Sequence, residues 1–89
     1  MKHLNIRVSG KVQGVFFRAS AKERAEQLGV KGFVRNVLNN EVYIEAEGEE
    51  ETLQLFLNWC ARGPSRAQVE NVKAEESPLE NFVVFEIRK

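Results

Sequence analysis

The strongest constraint on the fold is the order in which two apolar periodicities alternate along the chain. Leu4, Ile6 and Val8 alternate with polar residues, which predicts a half-buried strand. From about Phe17 the apolar spacing becomes helical, and this helix is expected to end at Gly29. The switch from strand to helix spacing is repeated in the second half of the chain.

The remaining pattern predicts four more strands and one more helix. The strands are expected near 31–37, 41–47, 68–75 and 82–88, and the second helix over about 49–62. Asn39-Asn40 predicts a tight hairpin turn, because asparagine tolerates positive φ. The order β-α-β-β-α-β with an extra strand near the end predicts an α+β, ferredoxin-like split βαβ sandwich. In this fold an antiparallel sheet carries two helices on one face.

The second helix has one apolar stripe, which predicts the side that faces the core. The residues of the stripe are Leu53, Phe56, Leu57 and Cys60, and Trp59 is also expected in the core. Cys60 lies on this buried stripe, so a reactive thiolate is not expected there.

Length and composition predict a single domain over residues 1–89 with one modest core. Cys60 is the only cysteine, so no internal disulfide is available, which favours a reducing compartment. The first residues lack the apolar run of a signal peptide, and no run approaches the ~18 apolar residues of a membrane span. We therefore expect a cytoplasmic protein without a membrane partner. Thirteen basic residues balance thirteen acidic ones, which argues against a nucleic-acid partner.

The absence of aspartate excludes several mechanisms. All thirteen acidic residues are glutamates, so a phospho-aspartyl intermediate, a Ser-His-Asp triad and an aspartate-based magnesium site are ruled out. The single histidine, His3, cannot form a histidine metal cluster. We expect no metal and no cofactor.

The first helix breaks an electrostatic rule that the second helix obeys. Acidic side chains are favourable in the first turn, by about 0.3–1 kcal/mol each, because a helix N-terminus is partially positive. The second helix opens with Glu49-Glu50-Glu51, whereas the first opens beside Arg18 with Lys11 upstream and has no acid before Glu23. This arrangement favours an anion at the start of the first helix.

The turn before that helix has the composition of a phosphate cradle. Gly10 and Gly14 allow backbone conformations in which successive amides converge on one point. The side chains of Val12, Val15 and Phe16 are expected to pack away while their amides face inward. Short glycine turns between strand and helix are also common structural features, and the residues alone leave the two interpretations balanced.

Arg18 and Asn36 are the candidate functional side chains. The planar guanidinium of Arg18 matches two phosphate oxygens. The same local sequence is also consistent with an arginine that lies on the surface in contact with solvent. Asn36 shares the strand parity of Val34, and its position alone favours a buried polar residue that serves a backbone partner over a functional role. Lys11 and Arg35 are more consistent with surface residues, and a substrate-facing role is the alternative for Arg35.

Two segments closely resemble the signatures of the acylphosphatase family. The first is Gly10-Lys11-Val12-Gln13-Gly14-Val15-Phe16-Phe17-Arg18, and the second is Gly32-Phe33-Val34-Arg35-Asn36. The resemblance implies substrate-binding amides at Gly10, Lys11, Val12, Gln13, Gly14, Val15 and Phe16. It also implies a phosphate-binding Arg18 and a water-positioning Asn36. The family usually has glycine where this chain has Asn40, which affects turn geometry and not chemistry.

The resemblance implies a monomeric, metal-free enzyme that hydrolyses small-molecule acyl phosphates. Two rival functions remain at this stage. One is a non-catalytic module of the same fold that binds phosphate or carbamoyl phosphate. The other is an RNA-binding domain of similar topology, which would carry exposed aromatic residues on its central strands. Asn5, Arg7 and Ser9 in the first strand do not fit that pattern.

Overall fold

The computed structural model describes residues 1–89 as two helices packed on one five-stranded sheet. The elements are β1 (Lys2–Lys11), α1 (Phe17–Leu28), β2 (Lys31–Val37), β3 (Glu41–Gly48), α2 (Glu50–Arg62), β4 (Gln68–Ser77) and β5 (Phe85–Arg88). The strand order is β4-β1-β3-β2-β5. The predicted ferredoxin-like arrangement is confirmed, with three antiparallel strand pairs, β1–β3, β1–β4 and β2–β3. The sheet is mixed because β5 runs parallel to β2.

The core lies between the helices and one face of the sheet. Phe17, Ala21 and Ala25 are buried on α1, at the spacing that the sequence predicts. The rings of Phe17 and Trp59 lie 5.3 Å apart between their centroids, which joins the two helices. The buried residues of α2 are Leu53, Phe56, Trp59 and Cys60, whereas the predicted Leu57 is only half-buried.

Neither α1, with 12 residues, nor α2, with 13, is long and apolar enough to cross a membrane. Cys60 is buried, as predicted from its stripe, and burial raises the pKa of its thiol. A thiol in that environment stays protonated and has little nucleophilic character.

The turn between β2 and β3 confirms the prediction from its two asparagines. The residues Leu38–Asn40 form one turn of 3₁₀ helix, in which Asn39 and Asn40 have φ of 68° and 61°. Asparagine adopts this left-handed conformation more readily than other residues with a side chain. Asn40 therefore fulfils the backbone requirement that glycine would otherwise meet.

β3 and β4 end one and two residues later than predicted, and the end of β1 and the start of β5 also differ from the prediction. β1 continues to Lys11, because a bulge between Ser9 and Gly10 lets the strand stay paired with β4 instead of turning at Gly10. β5 begins at Phe85 and not at residue 82. The backbone amide of Phe82 is engaged elsewhere, since it donates a hydrogen bond to Glu47 Oε1 at 2.9 Å.

A buried pair on the other face of the sheet explains the late start of β5. His3 and Glu47 are fully buried, and His3 Nδ1 lies 2.7 Å from Glu47 Oε2. The carboxylate of Glu47 also accepts hydrogen bonds from the amides of Glu80, Asn81 and Phe82. These hydrogen bonds hold residues 80–82 against Glu47, so these residues do not pair with β2. The pairing of β5 with β2 begins only at Phe85.

The second nitrogen of the His3 ring is also satisfied. His3 Nε2 lies 2.9 Å from both Asn5 Oδ1 and Glu45 Oε1. Burial opposes the charged form of His3, but hydrogen bonds to Glu47 and Asn5, with the charge of Glu45, raise its pKa above the ordinary 6.5. Burial likewise opposes ionisation of Glu47, but the hydrogen bonds from the Glu80 amide, His3 and the Phe82 amide lower its pKa below the ordinary 4.5.

Because of the His3–Glu47 pair, stability should decrease both as the pH rises and as the pH falls. The raised pKa of His3 contributes stability that is fully present below pH 6.5 and is lost as pH rises through the folded-state pKa. The lowered pKa of Glu47 contributes stability above pH 4.5 that is lost as pH falls through its folded-state pKa. Urea unfolding across pH 3–9, a range of about six units, spans both ordinary pKa values. The free energy of unfolding should be greatest between pH 4.5 and pH 6.5.

The variant His3→Gln should flatten the alkaline limb of that profile, whereas Glu26→Gln, on the exposed face of α1, should leave its shape unchanged. An alkaline limb that persists unchanged in His3→Gln would show that another group causes it.

Candidate functional site

A pocket of about 330 Å³ lies where the loop 12–16, the start of α1 and the ends of β2 and β5 meet. Its lining residues are Val12, Gly14, Phe16, Phe17, Arg18, Ala19, Asn36 and Ile87. The pocket thus brings the two candidate side chains of the sequence, Arg18 and Asn36, to one place, although 18 positions separate them. Apart from Arg18, its lining contains no charged residue.

The loop 12–16 supplies backbone donors that the protein itself does not use. None of its amides donates a hydrogen bond to another group of the chain. Gly14 and Phe16 have φ of 72° and 65°, so the chain turns sharply twice within three residues. Alternating left-handed and right-handed backbone conformations direct successive amides to one side, which makes a concave site for anions.

The first turn of α1 adds further unpaired donors. Phe16 is the N-cap residue but provides no side-chain cap, and no acidic residue lies in the first turn. The first intrahelical bond runs from the amide of Ser20 to the carbonyl oxygen of Phe16, at 3.1 Å. The amides of Phe17, Arg18 and Ala19 therefore lack intrahelical acceptors, as at the start of any α-helix. Together with the helix dipole they favour an anion here.

Arg18 is the second residue of α1 and its side chain is half-buried. It takes part in none of the ion pairs of the protein. A cation at the positive end of a helix without an acidic partner is unfavourable unless an anion binds beside it. The guanidinium is thus available for a ligand in the pocket.

Asn36 lies near the end of β2, on the same face of the sheet as the buried Val34. Its side chain makes no hydrogen bond within the protein, and it is half-buried at the wall of the pocket. The alternative role for Asn36, a buried polar residue that serves a backbone partner, requires such a bond. The placement agrees better with a residue that holds a ligand or a water.

Gln13 connects the loop to the hairpin that carries Asn36. Its Nε2 donates hydrogen bonds to the carbonyl oxygens of Val37, at 3.0 Å, and Glu41, at 2.9 Å. The sequence predicts only a main-chain role for Gln13. The acceptors lie 24 and 28 residues further along the chain, so no local pattern indicates the link. The side chain fixes the distance between the loop and the end of β2.

The other predicted loop residues divide into three groups. Val12 and Val15 are buried, as predicted for side chains that pack away from the amides. Gly10 and Lys11 lie in β1, paired with β4, and neither lines the pocket. The prediction that the side chain of Phe16 packs away is wrong: it is 68% exposed and lines the pocket. Its left-handed backbone turns the side chain out of the core.

Gly10 is required for a packing reason and not for a turn. Its φ is 121°, and a Cβ atom there would lie 2.2 Å from the carbonyl oxygen of Gln68 on β4. At Gly14, by contrast, an added Cβ would meet nothing within 4 Å. The first glycine permits the bulge that directs the chain into the loop, and the second permits the turn itself.

Metal-ligating side chains come together at one place, on the open face of the sheet. His3, Glu45 and Glu80 place one ligand atom each within 4.8 Å of the others. None of them lines the pocket. His3 Nε2 already contacts Asn5 and Glu45, and these contacts account for its position without an ion.

The fold and the pocket are those of a ferredoxin-like α+β protein with a site suited to a small anion. Comparison with known proteins gives the family. The family model described as Acylphosphatase matches residues 4–87. An acylphosphatase of Rubrobacter xylanophilus is 49% identical over 88 residues, which cover 98% of this chain and 80% of that protein.

Solved structures agree with this result. The crystal structure of an acylphosphatase from Bacillus subtilis superposes with a TM-score of 0.97 at 34% identity and covers all of both chains. The structure of an acylphosphatase from Coxiella burnetii gives a TM-score of 0.94 at 39% identity, covering 98% of this chain and 92% of that one. The chain belongs to the acylphosphatase family. The predicted enzyme class, a hydrolase acting on acid anhydrides, is confirmed with the family.

The two glycines of the first signature should differ in their tolerance of alanine. Gly10→Ala should lower the free energy of unfolding by more than about 3 kcal/mol, the upper range for overpacking, because its Cβ meets backbone. Gly14→Ala should cost only about 1–2 kcal/mol, the cost of a left-handed conformation. Urea unfolding of both variants measures the difference. Equal costs would mean that the close approach of β4 to Gly10 does not determine the bulge.

Proposed function

We propose that the chain hydrolyses the carboxyl–phosphate bond of acyl phosphates by in-line attack of a water that Asn36 holds. The amides of loop 12–16 and the guanidinium of Arg18 hold the phosphoryl group. The observation that carries this proposal is the composition of the pocket. It offers unpaired amides, one arginine and one asparagine, but no carboxylate, histidine, cysteine or hydroxyl side chain.

Such a pocket suits an acyl phosphate better than a phosphate ester. The leaving group of an acyl phosphate is a carboxylate with a pKa near ~4, so it departs at neutral pH without being protonated. An alkyl phosphate would release an alkoxide, which requires a general acid. The pocket supplies none, since its lining contains no carboxyl, imidazole, thiol or hydroxyl side chain. The chemistry is therefore limited to substrates with a good leaving group.

Stabilisation of the transferred group is the main catalytic requirement. The transition state of phosphoryl transfer is loose, with charge spread over three equatorial oxygens. Amides at the start of α1 and in the loop are fixed by the fold, so they need no reorganisation when this charge develops. Arg18 adds a delocalised positive charge and a planar pair of donors for two of the oxygens.

Asn36 has a positioning role toward the attacking water. Its amide offers one acceptor and two donors, which is enough to orient a water without removing its proton. Gln13 supports this role indirectly, since it joins the loop that holds phosphate to the residue after Asn36. Orientation of two reacting groups alone contributes a large part of many enzymatic rates.

Several finer properties remain predictions that accompany this proposal. They are a metal-free mechanism, a monomeric state, a cytoplasmic location and a single domain over residues 1–89. Phosphate release from benzoyl phosphate in the presence of EDTA tests the metal-free mechanism. The same assay distinguishes an enzyme from a module that only binds phosphate or carbamoyl phosphate.

Substitution of the two pocket side chains should abolish most activity without unfolding the protein. Arg18→Gln should lower kcat/KM for benzoyl phosphate by about 10³-fold or more, as for loss of an arginine that stabilises phosphoryl transfer. Asn36→Ala should cost about 10²–10³-fold, mainly in kcat, as for loss of one positioned hydrogen-bonding group. Steady-state phosphate release measures both effects, and circular dichroism confirms that the variants are folded.

Arg35→Gln is the matched control, because Arg35 lies next to Asn36 but points to the opposite face of the sheet, beside Tyr43. It should retain nearly full activity. Full activity of Asn36→Ala would refute the water-positioning role, and full activity of Arg18→Gln would refute the phosphate-binding role.

A further inference from the structure

Phe16 combines two properties that loop packing does not explain. Its ring is 68% exposed at the pocket, and its backbone has φ 65° and ψ 23°. This left-handed conformation is an outlier for a bulky side chain, whereas glycine adopts it without steric cost. Phe16 therefore has a large apolar side chain at a position where the backbone conformation favours glycine, and its ring contributes no packing to the core.

The pocket is larger than a phosphoryl group requires. At roughly 30 Å³ per water, a phosphoryl group displaces about as much volume as two or three waters, roughly 60–90 Å³. The pocket has about 330 Å³. The loop amides, Arg18 and Asn36 form its polar part, and Phe16, Ala19 and Ile87 form an apolar part. Space remains beside the apolar part for the group attached to the phosphate.

Ile87 is the second exposed apolar side chain of this wall. It lies on β5, where it pairs with Val34 of β2, and it is 42% exposed. β5 is placed beside β2 after the tether that Glu47 forms with residues 80–82. Phe16 and Ile87 thus come from opposite ends of the chain to the same pocket, in whose lining Arg18 is the only charged residue.

We propose that Phe16, together with Ile87, forms a subsite for the acyl group and favours acyl phosphates whose acyl group is apolar and flat, such as an aromatic ring. This inference rests on the proposed hydrolysis of acyl phosphates and specifies the substrate class for that site. The scissile bond joins phosphorus to the acyl oxygen, so a phosphoryl group held by the loop places the acyl group in the remaining space. Contact with the side chains of Phe16 and Ile87 removes an apolar acyl group from water, which favours it over a small or charged one.

The test compares two substrates that differ only in the acyl group. For wild type and Phe16→Gly, kcat/KM is measured with benzoyl phosphate and with acetyl phosphate. Glycine keeps the left-handed backbone and removes only the ring. The ratio of the two kcat/KM values should fall about tenfold in the variant, the range for loss of a few apolar contacts. The fall should come mainly from a higher KM for benzoyl phosphate.

The control Val83→Ala removes an exposed apolar side chain that lies outside the pocket, and it should leave the ratio unchanged. Equal losses for both substrates in Phe16→Gly would mean that the ring acts on the loop and not on the acyl group, which overturns the subsite. An unchanged ratio overturns it as well.

A binding experiment separates failure of the subsite from failure of the proposed reaction. The affinities of wild type and Phe16→Gly for benzylphosphonate and methylphosphonate, measured by calorimetry, require no turnover. The preference for benzylphosphonate should also fall about tenfold in the variant. If the wild type hydrolyses neither acyl phosphate, the proposed function fails, while the phosphonate preference still decides whether Phe16 contacts the group attached to phosphorus.

Discussion

The packing of Phe17 in the core is the contact on which the site depends. Phe17 is the first residue of α1, is almost fully buried, and lies against Trp59 of α2. Gly63 after α2 approaches the same ring so closely that a Cβ there would lie 3.0 Å from it. This packing anchors the first turn of α1 at the sheet. The unpaired amides and Arg18 are thereby held in place before any ligand arrives, so the protein itself provides the orientation that binding and catalysis need.

The chemistry follows from what the pocket offers and what it lacks. In the proposed reaction, fixed main-chain donors and one guanidinium stabilise negative charge, and the lining contains no carboxyl, imidazole, thiol or hydroxyl side chain. This combination is adequate only when the leaving group departs as a stable anion. The chain has one histidine and no aspartate, and none of its thirteen glutamates lines the pocket, so the same restriction holds.

Local patterns in the sequence were sufficient to predict the elements, most of the buried stripe of α1 and the asparagine turn. Arg18 and Asn36 were assigned to one site only by the resemblance to the two family signatures. Local patterns were not sufficient where a long-range contact decides. The hydrogen bonds of Gln13 to Val37 and Glu41 and the burial of His3 against Glu47 both join distant segments. The start of β5 was misplaced because the amide of Phe82 bonds to Glu47 and not to a strand. The exposure of Phe16 follows from its left-handed backbone, which an apolar side chain does not suggest.

In the proposed site, the amides of residues 12–19 hold the phosphoryl group. Titration of ¹⁵N-labelled protein with inorganic phosphate, followed by ¹H–¹⁵N correlation spectra, tests it directly. Saturable shifts confined to these amides and to the side chains of Arg18 and Asn36 are the expected result. Shifts centred on another surface, or no saturable shift in this segment, would contradict the account.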